Sequence, residues 1–390
     1  MIPYGRHYID EDDIQAVVDV LRNGYLTQGP AIEAFEHAVA EYVGAKYAIA
    51  VSSCTAALHL ASLVAGVGPG TASITSPITF VASANAALYA GGRTLFADID
   101  PATIDLSPDS LREVLTRNDD VRAVIPVHYA GLPCDMPAIK EAADQAGAVI
   151  IEDAAHALGA TYPDGRRVGC CDHSLMTVFS FHPVKAIAAG EGGMITTNDE
   201  ATFRKLLRLR SHGINKQGDP LQMPDEAETN GIPDPWYYEM QELGFHFRIT
   251  DIQCSLALSQ FKKLEAFLAR RRELVSRYDE AFAGMRHCKP AQSSGRTLSG
   301  HHLYALRISF EATRLNRGQL MRELKERQIG TQVHYIPVPS QPFYRRMGFK
   351  PEDYPNAFKF YQEALSIPLY YDLKDEQQEF VIATLKELLG

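Results

Sequence analysis

Val149-Ile150-Ile151-Glu152-Asp153 and Leu175-Met176-Thr177-Val178-Phe179 decide how this chain folds. Each is a short apolar run, the pattern of a strand buried on both faces of a parallel sheet. The first ends in a carboxylate. The second continues through Ser180-Phe181-His182-Pro183-Val184 to Lys185, and Gly190-Glu191-Gly192-Gly193 follows. Asp153 and Lys185 are 32 positions apart (185 − 153). One strand and its loops fill that gap, so both strand ends can face one crevice. Open α/β sheets bind ligands at the carboxyl ends of their strands.

Outward from this pair, strand and helix patterns alternate. Upstream strands are predicted at Tyr47–Val51, Ser73–Thr75, Thr94–Phe96 and Ala123–Val127. Helices are predicted over 10–23, 32–43, 55–65 and 136–146. The uncharged stretch Thr71–Gly92 carries Pro77, Asn85 and many small polar residues; a strand, a turn and a core helix fit it better than a membrane span. The rhythm predicts an α/β fold, a mostly parallel central sheet with helices on both faces. Past Thr250 it changes to one long helix, Asp251–Tyr278, and a smaller α+β unit: a strand near 303–310, a helix at 317–327, a short strand at 331–335 and a last helix at 375–389. The expected division is 1–250 for a large ligand-binding domain and 251–390 for a small C-terminal domain. Pro220–Pro235, polar and proline-rich, reads as a surface excursion.

Composition narrows the function. With 390 residues and 46% hydrophobic content, the chain can bury a large core. A net charge of −10 argues against nucleic acid as a partner. The N-terminus, Met1 to Arg6 followed by Asp10-Glu11-Asp12-Asp13, does not read as a signal peptide. None of the six cysteines forms a CxxC pair, which suits free thiols in a reducing cytoplasm. No metal site is expected: His301-His302 and His334 lack a ligand cluster of suitable spacing.

The residues at the strand ends carry a particular chemistry. Ser52-Ser53-Cys54-Thr55-Ala56-Ala57 stands where a strand passes into a helix. Its free amides and the helix dipole make an anion site, to which Ser53 and Thr55 hydroxyls can add; helix capping alone would also account for them. Asp153 is placed to hold a protonated pyridine nitrogen. His156 could pack on a ring or bond its phenolic oxygen. Ser180 can reach a phosphate, and Lys185 can form a Schiff base. A Schiff-base lysine and a pyridinium-binding aspartate are the two groups that pyridoxal 5'-phosphate chemistry requires.

The chain closely resembles the DegT/DnrJ/EryC1/StrS family of sugar aminotransferases. The resemblance runs nearly end to end through Leu26-Thr27-Gln28-Gly29-Pro30, Thr75-Ser76-Pro77-Ile78-Thr79-Phe80, Phe96-Ala97-Asp98-Ile99-Asp100-Pro101, Glu152-Asp153-Ala154-Ala155-His156-Ala157 and Gly190-Glu191-Gly192-Gly193. It implies a fold-type-I transferase that binds pyridoxal phosphate, passing through the pyridoxamine form. It implies Lys185 as the Schiff-base lysine, Asp153 at the pyridine nitrogen, His156 against the ring, and Ser53, Cys54 (through its backbone), Thr55 and Ser180 at the phosphate. The Gly244-Phe245-His246-Phe247-Arg248 segment matches a loop that reaches into a partner subunit's site, implying a homodimer with shared active sites. Tyr4, Tyr25, Leu26, Thr27, His182, Arg248, Gln332, Val333, His334 and Tyr335 would contact substrate. Ile2–Arg6, Ser180–Lys185, Trp236–Met240 and Val333–Val338 are most similar to the branch that moves an amino group from glutamate to C4 of a UDP-linked 4-keto-6-deoxy-N-acetylhexosamine for pseudaminic acid. Another nucleotide-linked keto sugar (dTDP- or GDP-, C3 or C4) is the alternative.

Three positions depart from the family. His246 replaces the usual asparagine as the loop's cofactor-binding residue, where a ring nitrogen can still donate to the phosphate; Cys54 replaces a frequent glycine, and Thr71-Ala72-Ser73 the usual acidic residues. Rival readings are weaker. A dehydratase on this fold has histidine in place of the lysine. Gly66-Val67-Gly68-Pro69-Gly70 lacks the dinucleotide GxGxxG spacing and follows a helix. Asp98-Ile99-Asp100 as a glycosyltransferase metal motif is better read as a strand-end loop. A non-catalytic binding protein would be expected to have lost Lys185 or Asp153.

Overall fold

The structure, a computed structural model, describes residues 1–215 and 219–390. α1 (Glu11–Asn23) and α2 (Pro30–Val43) lead into β1 (Tyr47–Val51). α3 (Cys54–Val64), β2 (Ala72–Thr75), α4 (Val81–Tyr89), β3 (Arg93–Phe96), α5 (Pro108–Thr116), β4 (Val121–Ile125), α6 (Met136–Gln145) and β5 (Val149–Asp153) alternate. β6 (Met176–Ser180), β7 (Gly193–Thr197) and α7 (Glu200–Arg210) complete the series. The helix starts follow local chemistry. Asp10, Ser53, Ser107, Asp135 and Asp199 each accept a hydrogen bond from a first-turn amide.

The seven strands form one sheet in the order β1-β7-β6-β5-β4-β2-β3. β7 runs antiparallel to β1 and β6; the other neighbours are parallel. Alternate residues feed two cores. Ile49, Val51, Ile125, Ile151, Val178 and Ile195 bury against α3, α4 and α7. Ala50, Ile74, Val124, Ile150, Phe179 and Met194 bury against α2, α5 and α6. With both faces covered, the strands read as continuous apolar runs.

Downstream come the hairpin β8 (Glu228–Thr229) and β9 (Ile232–Pro233), α8 (Asp251–Phe261), α9 (Leu264–Phe282), β10 (Cys288–Pro290) and β11 (Tyr304–Ile308). α10 (Arg317–Glu326), α11 (Pro342–Arg346), α12 (Pro355–Glu363), β12 (Ala364–Ile367) and α13 (Asp375–Leu389) follow. β10, β11 and β12 make an antiparallel sheet. Its core gathers Leu274 and Tyr278 of α9, Leu320 of α10, Val381 and Leu385 of α13, and Ile2 from the N-terminus. The 220–235 stretch is largely exposed, as its composition predicts. No helix among the described residues is long and apolar enough to cross a membrane.

Two expectations fail for tertiary reasons. The helix predicted over Asp251–Tyr278 breaks at Lys262-Lys263. α8 packs on α1 and α2, while the later turns of α9 serve the small sheet. Lys263 turns its amine to Asp10 and to Asp13, 2.9 Å from the latter. The strand predicted at 331–335 is a loop with a single bridge, Gln332 to Ser366. Side chains take up its polar groups instead: Tyr129 Oη donates to the His334 carbonyl at 2.8 Å and His334 Nδ1 pairs with Ser366 Oγ at 2.9 Å. β12 is the small sheet's third strand. The proposed division after residue 250 assigns to the second unit Cys254, Ala257 and Phe267, which are buried with the large-sheet core.

Candidate active site

β5 and β6 are parallel neighbours, with Asp153 opposite Val178. Gly193 of β7 lies opposite both Val51 of β1 and Ser180 of β6. The carboxyl ends of β1, β5 and β6 therefore share one sheet edge, where Ser53, Asp153, Ser180 and Lys185 come together. Gly193 is required there. A Cβ on it would stand 2.6 Å from the Ser53 carbonyl and 2.7 Å from the Cys54 nitrogen, closer than packed atoms allow.

Ser53 caps α3, its Oγ accepting from the Ala56 amide at 3.1 Å. The amides of Cys54 and Thr55 begin the helix and have no partner within it. The first turn carries no acidic residue, so the positive helix end is left for an anion. Ser180 is buried one strand away.

Asp153 is buried and held on both oxygens. Oδ1 accepts from the Ala155 amide at 3.1 Å, and Oδ2 from Ser83 Oγ at 2.6 Å. Ser83 pairs in turn with Thr79 at 2.7 Å. Glu152 points to the opposite face, into a closed network: His128 Nε2 at 2.9 Å, Tyr162 Oη and Ser174 Oγ at 2.5 Å, and Thr177 Oγ1 at 3.1 Å. Burial pushes Glu152 up, but the hydrogen bonds, that of His128 foremost, outweigh it and hold the carboxyl below its ordinary 4.5.

Burial of the Lys185 amine lowers it from 10.5 to about 8, with Cys54 and Asp153 pulling weakly the other way. The residue as a whole is only partly buried; it is the amine that loses solvent. His156 Nε2 lies 3.0 Å from Tyr335 Oη. Its imidazole is held well below 6.5 by burial, then by the charge of Lys185 and by His334. His334, lowered to about 4 by burial and then by Lys185, packs against Tyr4 with centroids 5.4 Å apart. Lys185, Asp153, Cys54, His156, His334, Tyr335 and Tyr4 thus form one cluster.

The other expected residues stand differently. Tyr25, Leu26 and Thr27 are exposed, and Thr27 bridges Thr250. His246 is exposed, its Nε2 3.0 Å from a guanidinium nitrogen of Arg248. Arg248 lines a cavity of about 320 Å³ between α2 and α7 that includes none of the clustered residues. The 244–248 loop is anchored on its own chain: Phe247 O accepts from the Ser52 amide at 2.8 Å, and Phe245 packs on His59. His182 and Gln332 are exposed and Val333 half-buried. Asp98 accepts from the amides of Asn356 and Ala357, both at 2.9 Å, a structural use of that carboxylate. The sequence reading missed Ser83, Tyr129, His302 and Ser366. No spacing signal marked Ser83: Thr79 precedes α4, whose first turn carries Ser83, and the two hydroxyls meet only in the folded chain.

Residues 7–386 match the model of the DegT/DnrJ/EryC1/StrS aminotransferase family. The spore coat polysaccharide biosynthesis protein SpsC of Bacillus subtilis is 38% identical over 390 residues, covering 100% of this chain and 97% of that protein. Among solved structures, the putative sugar aminotransferase Spr1654 of Streptococcus pneumoniae in its PMP-form superposes with TM-score 0.88 at 30% identity, over 99% of this chain and 97% of that one; a PLP-form is also solved. Helicobacter pylori PseC, an aminotransferase involved in the biosynthesis of pseudoaminic acid, superposes with TM-score 0.87 at 28% identity, over 100% of this chain and 99% of that one. The residues present fit pyridoxal phosphate. An uncapped pair of amides faces a backbone approach that only glycine permits, a fixed carboxylate stands at the same sheet edge, and a desolvated amine feels the charges of Cys54 and Asp153.

Proposed function

Because the chain belongs to the DegT/DnrJ/EryC1/StrS aminotransferase family and is a pyridoxal-phosphate-dependent sugar aminotransferase, we propose that it moves an amino group from glutamate to C4 of a UDP-linked 4-keto-6-deoxy-N-acetylhexosamine, the product being UDP-4-amino-4,6-dideoxy-N-acetyl-β-L-altrosamine. The observation that carries the chemistry is a desolvated lysine amine beside Asp153 and His156 at one sheet edge. The likeness to PseC over the whole chain supports the sugar.

When bound, pyridoxal phosphate supplies an aldehyde that joins amines covalently and a ring that takes up electrons. Lys185 would hold the cofactor's aldehyde carbon through its amine and, when free, would move a proton from the donor's α-carbon to the cofactor's C4′ and, in the second half-reaction, from C4′ to the sugar's C4. Asp153, fixed by Ser83 and Ala155, holds a proton on the pyridine nitrogen. The Cys54 and Thr55 amides, with the Ser53, Thr55 and Ser180 hydroxyls, bind phosphate. His156 packs against the ring. Tyr4, His334 and Tyr335 orient the sugar, with Tyr25, Leu26, Thr27, His182, Gln332 and Val333 around it.

His246 and Arg248 serve the site of a second copy. The exposed Trp236, Tyr238, Met240 and Leu243 beside that loop favour burial in a homodimer. A monomer at micromolar concentration in sedimentation would contradict this part of the reading. The six free thiols favour the cytoplasm, which cell fractionation checks. The decisive experiment is a panel of UDP- and dTDP-keto sugars with glutamate, with Lys185→Ala as blank and products assigned by mass and NMR. Amination of a dTDP-3-keto sugar alone would refute the substrate.

A further inference from the structure

The loop that enters β11 packs on the 130–131 turn and on His156 of the large domain. Gly300 N donates to Gly131 O at 3.0 Å, and His302 N to Ala130 O at 2.9 Å. Gly131, at φ +100, admits this approach: a Cβ there would stand 2.8 Å from the His156 carbonyl and 2.9 Å from the His301 nitrogen. Behind the loop, the buried guanidinium of Arg271 donates to the carbonyls of His301 and His302, both at 3.3 Å, and of Leu369 at 3.2 Å. The loop is thus pinned on two sides.

The result is a ring-on-ring contact. The imidazoles of His302 and His156 lie with centroids 4.3 Å apart and planes inclined by 36°. Tyr335 meets His156 at its edge through the Nε2 hydrogen bond of 3.0 Å. Among the described residues, Nδ1 of each histidine is buried without a partner. An unpartnered buried nitrogen is costly, and leucine or phenylalanine would fill the position of His302 without that cost. What His302 supplies that leucine does not is a flat, polarisable face.

We propose that His302 is a positioning residue: its ring backs His156 and holds that imidazole at the inclination from which its other face meets the cofactor's pyridine ring. This rests on the functional reading above. It assigns His302 no contact with substrate and no proton transfer. The relevant property is planarity, so another flat ring should substitute and a branched aliphatic chain should not.

The test compares His302→Phe, His302→Leu and His302→Ala with the unmodified protein. Cofactor-free protein is dialysed to equilibrium against pyridoxal phosphate to obtain its dissociation constant. The visible circular dichroism of the bound cofactor then reports ring orientation, and unfolding without cofactor reports stability. The Phe variant should bind within about twofold of wild type. The Leu and Ala variants should bind about 3- to 10-fold more weakly, the range of one lost ring pair, with reduced visible dichroism. Phe and Leu variants alike in both measurements would overturn the proposal, even if both are less stable. Should the Ala variant not fold, the Phe and Leu comparison decides alone. Failure of wild-type protein to bind the cofactor would sink the functional reading as well; binding with no difference between Phe and Leu sinks only this inference.

Discussion

The lowered amine of Lys185 is open to direct measurement. At pH 7.5 an ordinary lysine near 10.5 is neutral in about 0.1% of molecules, whereas one near 8 is neutral in about a quarter, a gain of roughly 200-fold in nucleophile. The cause is burial, so the shift belongs to the folded, cofactor-free protein and disappears on unfolding. Competitive labelling with a soluble anhydride, read lysine by lysine in peptides, should give a midpoint near pH 8 for Lys185 and above 10 for surface lysines. Linkage supplies a second readout. Between pH 8 and 10.5 the unfolded chain holds a proton on this amine that the folded chain has released, so this group adds stability as pH rises through that window. Below pH 8 the buried ammonium destabilises the fold by roughly 3 kcal/mol at 1.36 kcal/mol per pH unit. Lys185→Met should therefore stabilise the cofactor-free protein at pH 7 by about 2–3 kcal/mol and leave it nearly unchanged at pH 10.5. A labelling midpoint near 10.5, or a stability change independent of pH, would refute the desolvation argument.

Three further outcomes follow from named contacts. Ser83→Ala leaves Asp153 Oδ2 without its 2.6 Å donor. Turnover should fall roughly tenfold while the fold loses about 1–2 kcal/mol, within the range for hydrogen bonds to charged groups; unchanged turnover would show that Ala155 alone suffices. Glu152→Gln replaces an acceptor of four hydrogen bonds with a group that must donate, and denaturant unfolding should show a loss of about 3 kcal/mol. Because the folded Glu152 is held below 4.5, its contribution is present above that pH and lost on acidification through its folded value, so the variant should show a flatter acid limb. Gly193→Ala drives a methyl against Ser53; the helix end should shift and pyridoxal phosphate should dissociate faster, measured by loss of visible absorbance on gel filtration.

Much of this protein was legible along the chain. β1 and β5 could be read because strands buried on both faces are unbroken apolar runs. The ends of α1 and α3 could be read because capping chemistry is local. Asp153 and Lys185 could be paired because a βαβ chain brings successive strand ends to one edge, and that follows from spacing. None of this needed a long-range contact. The break at Lys262-Lys263 did, since α8 and α9 serve different cores and neither core is visible in the helix itself. So did β12, whose pairing with β11 joins residues about sixty positions apart. Ser83 reaches Asp153 across 70 positions, and His302 meets His156 only because Gly131 lets a distant loop approach. Periodicity and caps record what a residue requires of its neighbours in sequence. Which buried groups share a hydrogen bond or a ring face is set by packing, and packing is decided only when the chain has closed on itself.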